Sequence, residues 1–318
     1  MGIFKPYKVL LILGNGFDLS LGLKTSYANF MESDFFKKWV HIKHFRNAKI
    51  NEHDMNLFNY LHLKKGLRNW IDVEEELKKY ASEQRVEYHN DNGSTHFLNN
   101  VSTPDIKNSY TILCFALQTY IKSLDYNEVN KDSLSLGLLR TVLSRKQNDV
   151  VTFNYTDVNR LVEKPRGSIG YMHGNTEDEI ILGFQRFDNM AVGYEYMIKS
   201  ENPLYKSRHL YAKMLEADEV IIFGHSLGET DHCYFKPFFV EQTSEKAKPR
   251  YLTIFTLNRE SRTSITKQMV SMCDGKYQVF QDNTDVNVIE TANNDKEVET
   301  YIEGLKNRMK RFRLSFSL

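Results

Sequence analysis

Two side chains in this 318-residue sequence have the chemistry to work on a sugar ring. Asn154, in VTFNYT, can donate and accept hydrogen bonds at once, which suits a ribose hydroxyl or an attacking water. Its competing use is to cap the next helix or close an Asx turn. His173, in YMHGN, carries the ring that most often moves protons near neutral pH, so it can orient a hydroxyl or accept its proton. A lone histidine beside glycine also serves structure alone.

A third feature is the stretch VLLILGNGFDLSLGLKTSY, where five apolar residues run into Gly14, Asn15 and Gly16, with Asp18 and Gly22 further along. Glycines here either let main-chain amides approach an anion such as a diphosphate or make a tight bend in a buried sheet. The pattern stops short of the dinucleotide fingerprint, because Leu19 holds the third glycine position. Downstream, GHSLGETD contributes Gly224, Ser226 and Asp231, and TLNRE contributes Asn258. Ser226 can bind a phosphate or ribose hydroxyl. Asp18 and Asp231 are awkward beside a diphosphate unless they bind sugar hydroxyls, orient another group or pair with a cation. GHSLG also matches the hydrolase elbow GxSxG, yet only His232 comes after it as a base in the required chain order. The acids of WIDVEEEL (Asp72, Glu74, Glu75 and Glu76) fit a solvated helix start or the mouth of a site.

The elements that position these residues are read from periodicity. VLLIL, VVTF, EVIIF and YLTIF are short apolar runs that read as buried strands, each ending in a polar or glycine tip. Ligands of parallel α/β sheets bind beyond the carboxyl ends of the strands, so the tips share one expected edge. RNWIDVEEELKKYAS, SYTILCFALQTYIKSL and SLSLGLLRTVL read as helices, and YHNDNGSTHFLNNVSTP as a long polar turn region. The expected fold is α/β: a Rossmann-like, mostly parallel sheet core with a large, predominantly helical insertion. The core takes roughly residues 1–30 and 141–295, the insertion 31–140, and a basic C-terminal helix 296–318.

Composition narrows the function classes. A net charge of +1 gives no global electrostatic case for nucleic acid. Only LKNRMKRFRL is locally basic, as the solvated face of an amphipathic helix or a surface for self-association or a protein partner. Three separated cysteines suggest neither a zinc ribbon nor a disulfide framework, and no metal site is expected. Neither a signal peptide nor a membrane-length apolar run is legible, so the expected location is cytoplasmic and no membrane partner is expected.

Taken in order, LILGNGFDLSLGLKTSY, NWIDVEEEL, VTFNYT, YMHGN and FGHSLGETD resemble the bacterial AbiH family of phage abortive infection, over residues 9 to about 260. That family more remotely resembles SIR2-like proteins that bind and cleave NAD. The resemblance implies a SIR2-like core and matches Gly14, Gly16 and Gly22 to the glycine loop, Asn154 to the ribose-binding asparagine, and His173 to the catalytic histidine. It matches Gly224 and Ser226 to a later glycine-serine segment, and Asn258 to an asparagine near the adenosine end. Asp18 stands where serine is usual, Lys24 where proline is, and Thr156 where aspartate is. The zinc cysteines of protein deacylases are absent. The resemblance therefore implies an NAD glycohydrolase that releases nicotinamide and ADP-ribose, with NAD as substrate and no cofactor required. Expected partners are this nucleotide, other copies of the chain and a phage-derived trigger. The alternatives are a nucleotide-binding sensor without chemistry and a serine esterase built on Ser226.

Overall fold

The computed structural model describes residues 6–40, 56–66, 72–83, 85–89, 95–99, 104–188, 190–207 and 209–314. The first half contains strand β1 (Val9–Leu13) and helices α1 (Asn15–Ser20), α2 (Tyr27–Glu32), α3 (Asp34–Lys37), α4 (Leu57–Gly66) and α5 (Val73–Glu83). Strands β2 (Arg85–His89) and β3 (Thr95–Asn99) come next, then helices α6 (Pro104–Lys122) and α7 (Leu134–Leu143). After these stand β4 (Asp149–Thr152), β5 (Ser168–Tyr171), α8 (Leu210–Glu216), β6 (Glu219–Phe223) and α9 (His232–Glu241). The chain closes with β7 (Arg250–Thr256), α10 (Arg259–Met272), α11 (Tyr277–Asn283), β8 (Thr284–Glu290) and α12 (Asp295–Leu314).

These elements form two compact units. One comprises Met1–Leu23, Asp125–Met172 and Ser207–Leu318; the other comprises Lys24–Leu124 and His173–Lys206. The first unit holds a six-stranded parallel sheet in the order β5-β4-β1-β6-β7-β8. From β1 the chain winds outward through β4 and β5, then returns to build β6, β7 and β8 on the other side. This is the doubly wound order with its switch point between β1 and β6. Every residue of β1 and β6 is buried, whereas the edge strands β5 and β8 are partly exposed. The continuous apolar runs of the two inner strands answer that double covering.

The basic C-terminal helix belongs to this unit. Val298, Ile302, Leu305 and Met309 are buried along α12, which packs against α7. Arg308 ion-pairs at 2.8 Å with the buried Glu219, which also accepts from the Tyr7 and Tyr301 hydroxyls. One cation of the run therefore serves the interior. The side chains of Arg311, Phe312 and Arg313 lie outside the described residues.

The second unit is built from α2 to α6, the β2–β3 pair and the segment His173–Lys206. Aromatic rings fill it: Phe30, Phe36 and Phe58 pack in sequence, and Tyr60 meets Tyr80 edge-on with centroids 4.9 Å apart. Much of the aromatic content is thus core material. YHNDNGSTHFLNNVSTP, which reads as a turn region, contributes an antiparallel pair instead, with His89 opposite Thr95. Its residues 90–94 and 100–103 lie outside the described set. RVEYH alternates polar and apolar residues with period two, and THFLN supplies the adjacent apolar pair Phe97 and Leu98, a strand signal inside a loop-like composition. The Trp70 and Ile71 of WIDVEEEL also lie outside. Among the described residues no helix is long and apolar enough to cross a membrane.

The carboxyl ends of β1 and β6 meet through main chain alone. The Gly14 amide donates to the Phe223 carbonyl at 2.9 Å, and the Gly16 amide to the Gly224 carbonyl at 2.8 Å. A Cβ on Gly224, whose φ is +66°, would lie 2.4 Å from the Phe17 nitrogen. Gly22, at φ +86° after α1, would place its Cβ in open space. Gly224→Ala should therefore cost ~3 kcal/mol or more, adding a clash to left-handed strain, against ~1 kcal/mol for Gly22→Ala. Urea unfolding of both variants checks this; equal losses would refute close packing of the two loops.

Candidate functional site

The switch point gathers most of the chemically apt residues of the first unit. β4 pairs beside β1 and ends in Thr152, so the turn beyond it lifts Asn154 over the β1 loop. The buried Asn154 side chain donates from Nδ2 to the Gly14 carbonyl at 2.9 Å, and its own amide donates to Thr152 Oγ1 at 3.0 Å. Its Oδ1 accepts from no protein group among the described residues. That oxygen is the atom of Asn154 available to a ligand hydroxyl or a water.

Asp18, on α1, is 1% exposed and accepts from the Thr156 hydroxyl at 2.9 Å through Oδ2. Its Oδ1 has no hydrogen-bond partner among the described residues. Burial pushes the carboxyl up to about 7, against the downward pull of the Thr156 hydroxyl and the Asn154 amide. The contact joins two residues 138 positions apart, a carboxyl at Asp18 and a hydroxyl at Thr156.

The glycines have a different occupation from a bare phosphate cradle. Gly14, Gly16 and Phe17 all give their amides to main-chain carbonyls, the last to Gly14 at 2.9 Å. A Cβ on Gly14 would stand 2.6 Å from the His225 Cα, so close packing against the β6 loop by itself demands glycine there. Gly22 terminates α1, its amide returning to the Leu19 carbonyl at 3.0 Å. Asn15 is exposed at the start of α1.

Beside Gly16 and Gly224 lies a cavity of about 240 Å³, also lined by Ser226, Thr256, Ser261 and Ser264. It opens at the carboxyl ends of β6 and β7 and at the first turns of α10. Asn258 caps that helix, its side chain accepting from the Ser261 amide at 3.0 Å. The capping bond fixes the N-terminal turns of α10, whose partial positive charge favours an anion in the cavity.

His225 is a residue that sequence reasoning missed. It is buried, with its ring 4.4 Å from that of Phe153 and 5.0 Å from that of Phe235. Nδ1 accepts from the Leu227 amide at 3.0 Å, and Nε2 stands 3.4 Å from Asp231 Oδ2. Of the roles open to Asp231, orienting another group is the one this geometry supplies. The signal in the sequence was GHSLGETD, whose histidine and aspartate come together when the turn closes. The same contacts bear on the elbow. Ser226 is exposed, but His225 commits both ring nitrogens and His232 holds Gln268 through Nε2 at 2.8 Å. Neither His225 nor His232 is thereby free to serve the serine as the base that an elbow nucleophile needs.

His173 belongs to the second unit. Its carbonyl accepts from the Ile181 amide at 2.8 Å, and Gly174 turns at φ +76°, where a Cβ would collide with the Glu179 carbonyl. The imidazole is buried, with Nε2 3.5 Å from the ammonium of Lys199. Asp72 caps α5 by accepting from the Glu74 and Glu75 amides at 2.9 and 3.2 Å. Glu75 and Glu76 reach Lys79, while Glu74 turns to Lys199 at 2.6 Å.

The sequence profile of the family described as Bacteriophage abortive infection AbiH matches residues 10–252. No curated protein matches the chain.

The buried Asp18 carries a pH signature. Its folded-state value lies above the unfolded one, so the folded protein keeps the proton up to about pH 7 while the unfolded chain loses it near pH 4. The cost of ionising it in the interior is present above about pH 7 and fades as pH falls toward 4. Asp18→Asn should stabilise the protein at about pH 8, by up to ~4 kcal/mol, with a gain that shrinks toward pH 5. Urea unfolding at the two pH values measures it; a gain independent of pH would contradict the assignment.

Proposed function

Because the chain belongs to the bacteriophage abortive infection AbiH family, we propose that it acts in phage defence as an NAD-consuming glycohydrolase. The bond from nicotinamide nitrogen to the ribose carbon breaks, and nicotinamide leaves with the electron pair. Water then adds to the ribose carbon and releases a proton, giving nicotinamide and ADP-ribose. Positive charge builds on the ribose in between, so groups that hold a hydroxyl or a water in place lower the barrier.

In this reading Asn154 Oδ1 accepts from the ribose or the attacking water, because it is the one polar atom of that side chain left open. His173 orients a hydroxyl or takes its proton, as the SIR2-like resemblance implies. With three loop amides engaged, the anionic part of the substrate falls to the cavity at Gly16, Gly224 and Ser226, beside α10. Asp18, neutral below about pH 7, removes a repulsion that an ionised carboxylate would bring. The scheme needs no cofactor. Self-association and release of a restraint by a phage-derived trigger belong to the same reading.

The observation that carries the proposal is the contact between Asp18 and Thr156 next to Asn154. Both positions depart from the SIR2-like pattern, and they depart reciprocally. The hydroxyl and carboxylate beside the asparagine are thereby retained with their places exchanged.

The test monitors nicotinamide and ADP-ribose by chromatography, with purified protein and with the protein in lysates of phage-infected cells. Asn154→Ala and His173→Ala should each lower turnover by ~10²-fold or more. Full activity in either variant removes that residue from the mechanism. Binding of ADP-ribose without nicotinamide release in both settings would replace the enzyme with a nucleotide sensor.

A further inference from the structure

Lys199 is 2% exposed, an unusual place for an ammonium. Its backbone is fixed first. The amide of Lys199 donates to the Phe184 carbonyl at 2.9 Å, and the Phe184 amide donates to the Met197 carbonyl at 3.1 Å. The two segments run so close that a Cβ on Gly183 would lie 2.0 Å from the Met197 carbonyl oxygen. The first of these segments is also the one that holds His173, through the Ile181 amide. One small backbone zipper therefore sets both the imidazole and the ammonium.

The side chain is held by charge. Lys199 Nζ lies 2.6 Å from Glu74 Oε2, and Glu74 sits in the first turn of α5 with its amide capped by Asp72. A buried cation without its carboxylate would be strongly destabilising, so Glu74 is a condition for Lys199 being there. From this position Nζ reaches His173 Nε2 at 3.5 Å. An ammonium has hydrogens and no lone pair, so it can only donate. Nε2 must then accept, which leaves the ring proton of a neutral imidazole on Nδ1.

We infer that Glu74 and Lys199 are positioning residues that hold His173 in the Nδ1–H tautomer, making it a hydrogen-bond donor to a substrate hydroxyl or phosphate oxygen. This rests on His173 having the role proposed above, and it selects between the two uses of that ring. A base would need a lone pair on Nδ1 and a proton on Nε2, where it would face the ammonium. It also gives the acidic motif a purpose: of its four acids, Asp72 caps, Glu75 and Glu76 meet Lys79, and Glu74 supports the imidazole.

The experiment records two-bond nitrogen–proton correlations of protein labelled with ¹⁵N-histidine, with His173→Gln identifying the His173 signals. Wild type should give the neutral Nδ1–H pattern. Removing Lys199 alone strands a half-buried carboxylate, so the informative variant is the pair Glu74→Gln with Lys199→Met, which removes both charges and keeps the volume. Its unfolding transition, compared with wild type, shows that it folds. In that variant the pattern should move toward Nε2–H, and NAD turnover should fall at least ~10-fold with KM little changed, since losing the right tautomer can cost up to about 10⁴ in kcat. A wild-type ring protonated on Nε2 overturns the inference, as does a folded double variant with an unchanged tautomer. The spectrum needs no turnover. If neither protein releases nicotinamide, the glycohydrolase reading fails while the tautomer result stands or falls by itself.

Discussion

At the carboxyl edge of the sheet, two main-chain turns approach each other with no side chain between them. Gly16 gives its amide to Gly224, Gly14 gives its amide to Phe223, and any Cβ at Gly14, Gly16 or Gly224 would come within 2.7 Å of the opposite turn. Closing β1 against β6 this tightly brings α1 and the turn after β4 to the same spot. Asn154 can then reach the Gly14 carbonyl, and Asp18 can reach Thr156. His225 is drawn in by the same closure, packed on Phe153 and tied to Asp231. The doubly wound order makes this crevice the natural place for a ligand. The glycines make it narrow.

Within that crevice the unusual feature is energetic. A carboxyl with 1% exposure and an oxygen without a partner among the described residues does not help the protein fold. Groups buried at such cost concentrate at functional sites, where stability yields to chemistry. Asp18 lies close enough to the Asn154 side chain for that amide to favour its ionised form. Two side-chain oxygens without a partner among the described residues, Asp18 Oδ1 and Asn154 Oδ1, describe a surface made for hydroxyls or water. The second unit has its own buried polar group, in which Glu74, Lys199 and His173 are mutually supported.

Much of the framework was legible in the sequence. Short apolar runs ending in glycine or asparagine announced the inner strands and their shared edge, because a doubly covered strand leaves little choice of residue. The α/β class, the parallel sheet and the helical insertion came with it. The acids of WIDVEEEL were legible as a helix start, and the structure adds that Asp72 caps it. What sequence reasoning missed is long-range. Asp18 and Thr156 are 138 residues apart, and no local pattern pairs them. Lys199 stands in the polar stretch YMIKSEN, where nothing marks one lysine as buried. The glycines could be read as room for a ligand or as a tight bend in a buried sheet, and here they make room for another backbone. Local sequence reports that space is needed and is silent about what fills it.

The most direct measurement is a crystal structure of the protein with ADP-ribose. Ligand density at the carboxyl ends of β1 and β6, with a ribose hydroxyl or bridging water on Asn154 Oδ1 and the diphosphate beside Gly224 and Ser226, is the expected result. Density on another face of the sheet, with the β1–β6 crevice closed and unchanged, would contradict the assignment of this edge as the nucleotide site.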